Sequence, residues 1–263
     1  MSVKVHLRLV ELHGQTLRVV TLRPATTVRF STNFFHDTWH IVTSHAGAML
    51  LGRLLWGLAF QRQPGTLVLV DRAHLAPTPF DGDPPDPILL VPAGLTAFDV
   101  DRLRALQQRL RRGAPNPTTI HWHTFGMPAA LEVDLRERAR WTHAEQWPAR
   151  HQERMSRRAG FVCDTAPPAI LRAHALAIHR MGSAQSHESY HPLAEAAPHV
   201  AWHHDGEVQV IAGFDQAVSA ASVARREVLG AAPTITRVEQ RRAIHARTEI
   251  ARARLQQARA KAR

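Results

Sequence analysis

Asp71, His74, His121 and His123 are the side chains whose types and spacing could do chemistry. His121 and His123 alternate on one face of a predicted strand at 118–124, and Asp71 closes another at 66–71, with His74 just beyond it. Ligands bind at the carboxyl ends of strands in parallel sheets. Asp71, His74, His121 and His123 could therefore converge on a divalent metal or a phosphodiester, the arrangement of a metal-assisted hydrolase or nuclease. The plainer expectation is that Asp71 caps the following turn, and that the strand histidines sit half-buried beside Trp122.

A second group is His187-Glu188-Ser189-Tyr190-His191, which fits H-E-x-x-H. On a helix that spacing puts both imidazoles on one face, where His187 and His191 can share a zinc ion while Glu188 polarises its bound water. The five residues resemble the zinc metallopeptidase motif, and the resemblance implies metal-assisted peptide hydrolysis; no third ligand stands at a matching distance. Pro192 disfavours the helical conformation at His191, and residues 183–186 supply no apolar helix face. In a chain with 18 histidines the pattern arises easily by chance, so the expectation is a polar loop.

The third group is the C-terminal tail. Residues 237–263 hold nine basic side chains and two acids, so +7 of the formal net charge of +11 lies in the last 27 residues. The tail lacks Gly and Pro from Thr236 onward and is rich in Ala, Arg and Gln, which predicts a helix. Its apolar stripe through Ile244, Ala251 and Leu255 is thin, so little contribution to the core is expected. A polycation on a nearly neutral body points to an acidic partner, nucleic acid first, with Arg237, Arg241, Arg242, Arg247, Arg252, Arg254 and Arg259 contacting phosphates. The alternatives are a helix docked on an acidic protein partner or a second copy, and a solvated end in an Arg-rich chain. Of the six tryptophans only Trp141 and Trp147, among Arg136, Arg138, Arg140 and Arg150, approach a base-stacking arrangement, and packing is the expected role for both.

Several chemistries are ruled out by what is missing. No two of the 14 glycines lie closer than five residues, which removes the GxGxxG fingerprint, and no lysine follows a glycine, which removes a Walker A loop. There is no GxSxG elbow. One cysteine, Cys163, allows neither an internal disulfide nor a Cys-rich zinc ribbon, and reads as a buried thiol in a reducing compartment. No cofactor is expected other than a divalent metal at the histidines. The start of the chain has no apolar run resembling a signal peptide, so a cytoplasmic location is expected. Residues 41–60 have the length and hydropathy of a membrane span, but Arg53 near their middle favours a buried helix in a protein without membrane contact.

The elements that must position these groups follow from pattern. Strands are predicted at 3–10 and 16–22 around His13-Gly14, then a helix at 39–61, a strand at 66–71, a Pro- and Asp-rich loop at 77–87 and a strand at 88–91. A helix through Leu103, Leu106 and Leu110 opens on Thr96-Ala-Phe-Asp99, read as a capping box. The second half reads as a charged helix at 131–158, a strand at 160–164, a helix from Pro167-Pro168 through Ile178, and a loop at 181–198. A hairpin of 200–204 with 207–211 turning at Asp205-Gly206 follows, and then a helix at 214–229. The expected architecture is α/β: a mixed, partly parallel sheet flanked by helices, with a C-terminal basic helix. It divides into an α/β unit at 1–126, a second half at 127–232 and the tail at 233–263. The expected function is nucleic-acid binding without catalysis. The metal-dependent hydrolase through Asp71, His121 and His123 or His187 and His191 ranks second, and a purely protein-binding subunit third.

Overall fold

The computed structural model describes residues 2–97, 99–113, 116–133, 155–183, 188–192, 206–231 and 236–261. Its larger sheet has seven strands: β1 (Ser2–Leu12), β2 (Gln15–Thr21), β5 (Thr66–Val70), β6 (Ile88–Pro92), β7 (Thr118–His123), β8 (Met155–Arg158) and β9 (Phe161–Ala166), in the order β7-β1-β2-β5-β6-β9-β8. β2–β5 and β6–β9 are parallel and the other pairs antiparallel, so the sheet is mixed. Strands from both sides of residue 127 share it. A second sheet, β10-β11-β4-β3, joins β3 (Phe30–Phe35), β4 (Thr38–Thr43), β10 (Glu188–Pro192) and β11 (Glu207–Ile211).

Three hairpins close through two residues of positive φ, the geometry that matches the twist of the paired strands: His13-Gly14, His36-Asp37 and Ala159-Gly160. The glycine marks the first in sequence. His36-Asp37 carries no such mark, and the helix predicted at 39–61 ran over β4. The helix α1 (His45–Ala59) instead starts where Ser44 accepts the Gly47 N–H at 3.2 Å. Its 15 residues are too few to span a bilayer, and among the described residues no helix is long and apolar enough to do so.

Helices α2 (Val100–Arg111), α3 (Met127–Glu132), α4 (Pro168–Ser183), α5 (Phe214–Ala231) and α6 (Arg237–Lys261) complete the described elements. α2 covers one face of the large sheet through Leu103 and Leu106, and is capped by Asp99, not by Thr96, whose hydroxyl bonds the Thr66 carbonyl at 2.9 Å. α1 and α4 cover the other face, and the small sheet lies beyond them, with Ile41, Val208 and Val210 in the same core as Leu51 and Ile178. The outer face of the small sheet carries Val42 and Ile211 against Phe214 of α5.

The glycines of α1 stand five residues apart, each turned roughly 140° from the last. Each therefore meets a different neighbour: Gly47 the Thr43 side chain, Gly52 the backbone of α4, Gly57 the Trp122 indole. Trp122 donates to the Leu54 carbonyl at 3.2 Å and so fixes β7 under α1.

Three further expectations change. The charged helix at 131–158 falls mostly outside the described residues, and its last four residues are strand β8. The loop at 181–198 contains strand β10. Residues 207–211 form strand β11, which pairs with β10 on one edge and β4 on the other; the expected hairpin partner at 200–204 lies outside the described residues.

Candidate functional site

The Pro- and Asp-rich loop at 77–87 is where the basic helix lands. The Thr78 hydroxyl donates to Asp81 Oδ1 and accepts the Asp81 N–H at 3.2 Å, while the Asp83 N–H reaches Asp81 Oδ1 at 3.1 Å. Gly82 sits at φ +66°, and a Cβ there would stand 3.0 Å from the Ala221 carbonyl, so glycine lets α5 close on the loop. Thr32 of β3 accepts the Asp86 N–H at 2.8 Å and donates to the Asp86 carbonyl at 3.2 Å, tying the loop to the small sheet.

The loop's acids are thereby aimed at arginines from elsewhere. Asp86 pairs with Arg157 through two guanidinium nitrogens at 2.7 and 3.2 Å. Asp83 pairs with Arg225 of α5 at 2.5 Å and with Arg241 of α6 at 3.4 Å. Asp81, itself buried, meets Arg241 Nε at 3.1 Å.

The tail is an integral helix rather than a thin-striped appendage. It opens on a capping box that the sequence analysis passed over, Thr236-Arg-Val-Glu239, in which the Thr236 N–H and hydroxyl both reach the Glu239 carboxylate. Those bonds, the side-chain one first, hold the Glu239 carboxyl below its ordinary pKa. Ile244, Thr248 and Ala251, spaced four and three apart, are buried, and α6 packs along α5.

Docking divides the tail's arginines. Arg247 faces α5 and pairs closely with Glu227, while Arg254, two turns on and more exposed, stands 3.8 Å from the same carboxylate. Arg241 is committed to Asp81 and Asp83. On the flank bordering the small sheet, His245 and Arg252 follow Arg241 at helical spacing, with Arg242 beside them. Arg252 has a single loose pair with Glu249 of its own helix at 3.7 Å, and exposed Arg242 has no ion pair among the described residues. The side chains of Arg237 and Arg259 lie outside the described residues.

Two hollows open along this flank. A groove of about 990 Å³ lies between Trp39, Arg72, Arg157, Arg225 and Arg241; exposed Arg72 has no ion pair among the described residues. A cleft of about 380 Å³ lies between Asn33, Phe35 and His40 of the hairpin and Arg241, Arg242 and His245 of α6. At the hairpin tip Phe34 stacks obliquely on Trp39 with centroids 5.1 Å apart, and Phe35 lies on His36 at 3.9 Å. Phe34 and Phe35 remain 42% and 54% exposed, whereas Phe30 at the start of the same strand is buried.

The chain matches no protein-family model, no curated protein and no solved structure. Function must therefore be argued from these side chains.

The structure does not bring the expected metal ligands together. β7 and β5 run in the same direction but stand three strands apart, about 14 Å at the ordinary spacing, too far for Asp71, His121 and His123 to share an ion. His121 and His123 are exposed rather than half-buried, and Asp71 caps a short 3₁₀ turn (Arg72–His74). The helical zinc geometry also fails, because Glu188–His191 is extended; positions four apart on a strand are separated by about 13 Å, and His187 lies outside the described residues. Among the described residues no cluster of three His, Cys, Asp or Glu side chains could hold a metal. Burial pushes the Cys163 thiol up to about 12, so it is not a nucleophile at neutral pH.

Asp71 instead orients His74. Its carboxylate accepts from His74 Nδ1 at 3.0 Å, and the Arg23 carbonyl accepts from Nε2 at 3.0 Å. Neither a carboxylate nor a carbonyl can donate, so it is the protonated ring, with hydrogen on both nitrogens, that makes both bonds. The Asp71 bond, acting against burial, raises the His74 pKa above 6.5. A raised folded pKa gives stability that is fully present below the unfolded value, about 6.5, and lost as pH rises through the folded one. Unfolding free energy should thus fall by about 1 kcal/mol, the worth of one hydrogen bond, as pH rises above about 6.5 through the raised folded value, and a His74→Leu variant should lack that slope in urea titrations. His179, lowered by burial and by Arg53, acts on the other side, costing stability as pH falls below about 6.5.

What sequence reading missed was the hairpin at 30–43 and its partners. The alternating Phe30-Ser-Thr-Asn-Phe-Phe35 and Trp39-His-Ile-Val42, either side of His36-Asp37, were a strand signal outweighed by the apolar run that followed. The nearness of Arg72, Arg157 and Arg225 to the tail had no local signal. Trp141 and Trp147 lie outside the described residues.

Proposed function

We propose that this protein binds nucleic acid without catalysing its turnover, alone or as a subunit of an assembly containing nucleic acid. The flank of α6 bearing Arg242, His245 and Arg252 would be its phosphate-contacting surface. One observation carries the reading: docking of the helix uses Arg241 and Arg247 on the chain's own acids, whereas among the described residues Arg242 makes no ion pair and Arg252 only a loose one. An exposed pair such as Arg252–Glu249 contributes only about 0–1 kcal/mol and exchanges readily for a phosphate. Contacts of this kind give affinity without sequence choice. The helix is held along α5, so its cations are displayed in a fixed row.

The reading is tested by fluorescence anisotropy with labelled oligonucleotides of mixed sequence at low salt. Arg242→Gln with Arg252→Gln should weaken binding about tenfold for every sequence alike. Arg247→Gln, which removes a cation already paired closely with Glu227, should change it much less than Arg242→Gln alone. Undetectable binding by the unaltered protein, or equal effects of Arg247→Gln and Arg242→Gln, would overturn the proposal.

A further inference from the structure

We infer that the cleft between the β3–β4 hairpin and α6 takes an unstacked nucleobase, and hence that the preferred ligand is a single strand. This inference rests on the nucleic-acid reading above and names the form of ligand that the same surface selects. The cleft's volume of about 380 Å³ is at the small end of ligand sites, roughly 300–1,000 Å³, and suits one flat group rather than a duplex.

Its lining matches the parts of a nucleotide. Phe35 supplies an aromatic ring, 54% exposed at the tip of the two-residue hairpin with His36 stacked on one face, and Phe80 lines the apolar side. Side-chain amides of Asn33 and Gln209 can each donate to and accept from a base edge. Asn33 makes no side-chain hydrogen bond among the described residues, whereas Gln209 bonds Glu207. Arg242 and His245 stand on the helix side, where the phosphates of a strand entering the cleft would lie. In a duplex the ring faces are covered by neighbouring pairs, so only an unpaired base can lie on Phe35. Charge complementarity thus selects a polyanion, and the aromatic ring with its two amides selects one whose bases are free.

The test uses the full chain with a labelled single-stranded 12-mer and the matching duplex, compared by anisotropy at one salt concentration. Single strand should bind at least tenfold more tightly than duplex. Phe35→Ala should weaken single-strand binding about tenfold, since stacking is worth about 1–3 kcal/mol per base, while leaving duplex binding and the salt dependence unchanged. Phe35→Trp should retain the affinity, and because the side chain is half exposed both variants should unfold at the same temperature as the parent. Equal affinity for the two forms with a silent Phe35→Ala would overturn the base site but not the phosphate-contacting flank. Absence of binding to either form would overturn both.

Discussion

Replacing Arg241 with Met should lower the unfolding free energy by about 2–3 kcal/mol. The Asp81 carboxylate is buried and fixed by Thr78 and the Asp83 amide, so it cannot turn to water when its partner is removed. Breaking a fully buried pair costs about 3–5 kcal/mol, and the smaller figure reflects the partial exposure of Arg241. Asp83 keeps Arg225 and suffers less. Combining Arg241→Met with Asp81→Asn should restore part of the loss, which a double-mutant cycle in urea reads directly. A silent Arg241→Met would mean that the tail is not docked as described.

The interface of α1 and α4 is equally exacting. An added Cβ at Gly52 would stand 2.6 Å from the Ala175 carbonyl oxygen and 2.8 Å from His179 Cβ, and one at Gly182 would stand 2.5 Å from the His45 carbonyl. These neighbours are mostly backbone of the facing helix, so relief requires the helices to separate. Gly52→Ala gains about 1 kcal/mol of helix propensity but pays overpacking of about 3 kcal/mol or more against backbone, a net loss of about 2 kcal/mol. Thermal melting of the variant should show a clear drop. An unchanged or raised melting temperature would show that the two helices pack less closely.

The strands at 66–70, 88–92 and 161–166 were legible because their apolar runs are short, rich in branched residues and closed by turns. The helices at 168–183 and 214–231 were legible from their periodicity. The hairpin at His36-Asp37 was not, because positive φ at two residues other than glycine leaves a weak trace in sequence. The candidate site was legible only in part. Excess charge on the tail is a property of composition. Its division into a committed and an open flank depends on Arg241 meeting Asp81 across 160 positions of chain and on Glu227 facing Arg247. Likewise Asp71 follows β5 and His121 lies within β7, two strands that run in the same direction, but the sheet order that holds them apart has no local signature.

The salt dependence of single-strand binding tests the central claim most directly. Two or three phosphate contacts along the open flank of α6 predict that log K falls linearly with log salt concentration with a slope of about −1.5 to −2, and that Arg242→Gln with Arg252→Gln brings the slope to between zero and about −0.7. A slope that is flat in the parent protein, or one that the two substitutions leave unchanged, would contradict the assignment of this flank to nucleic acid.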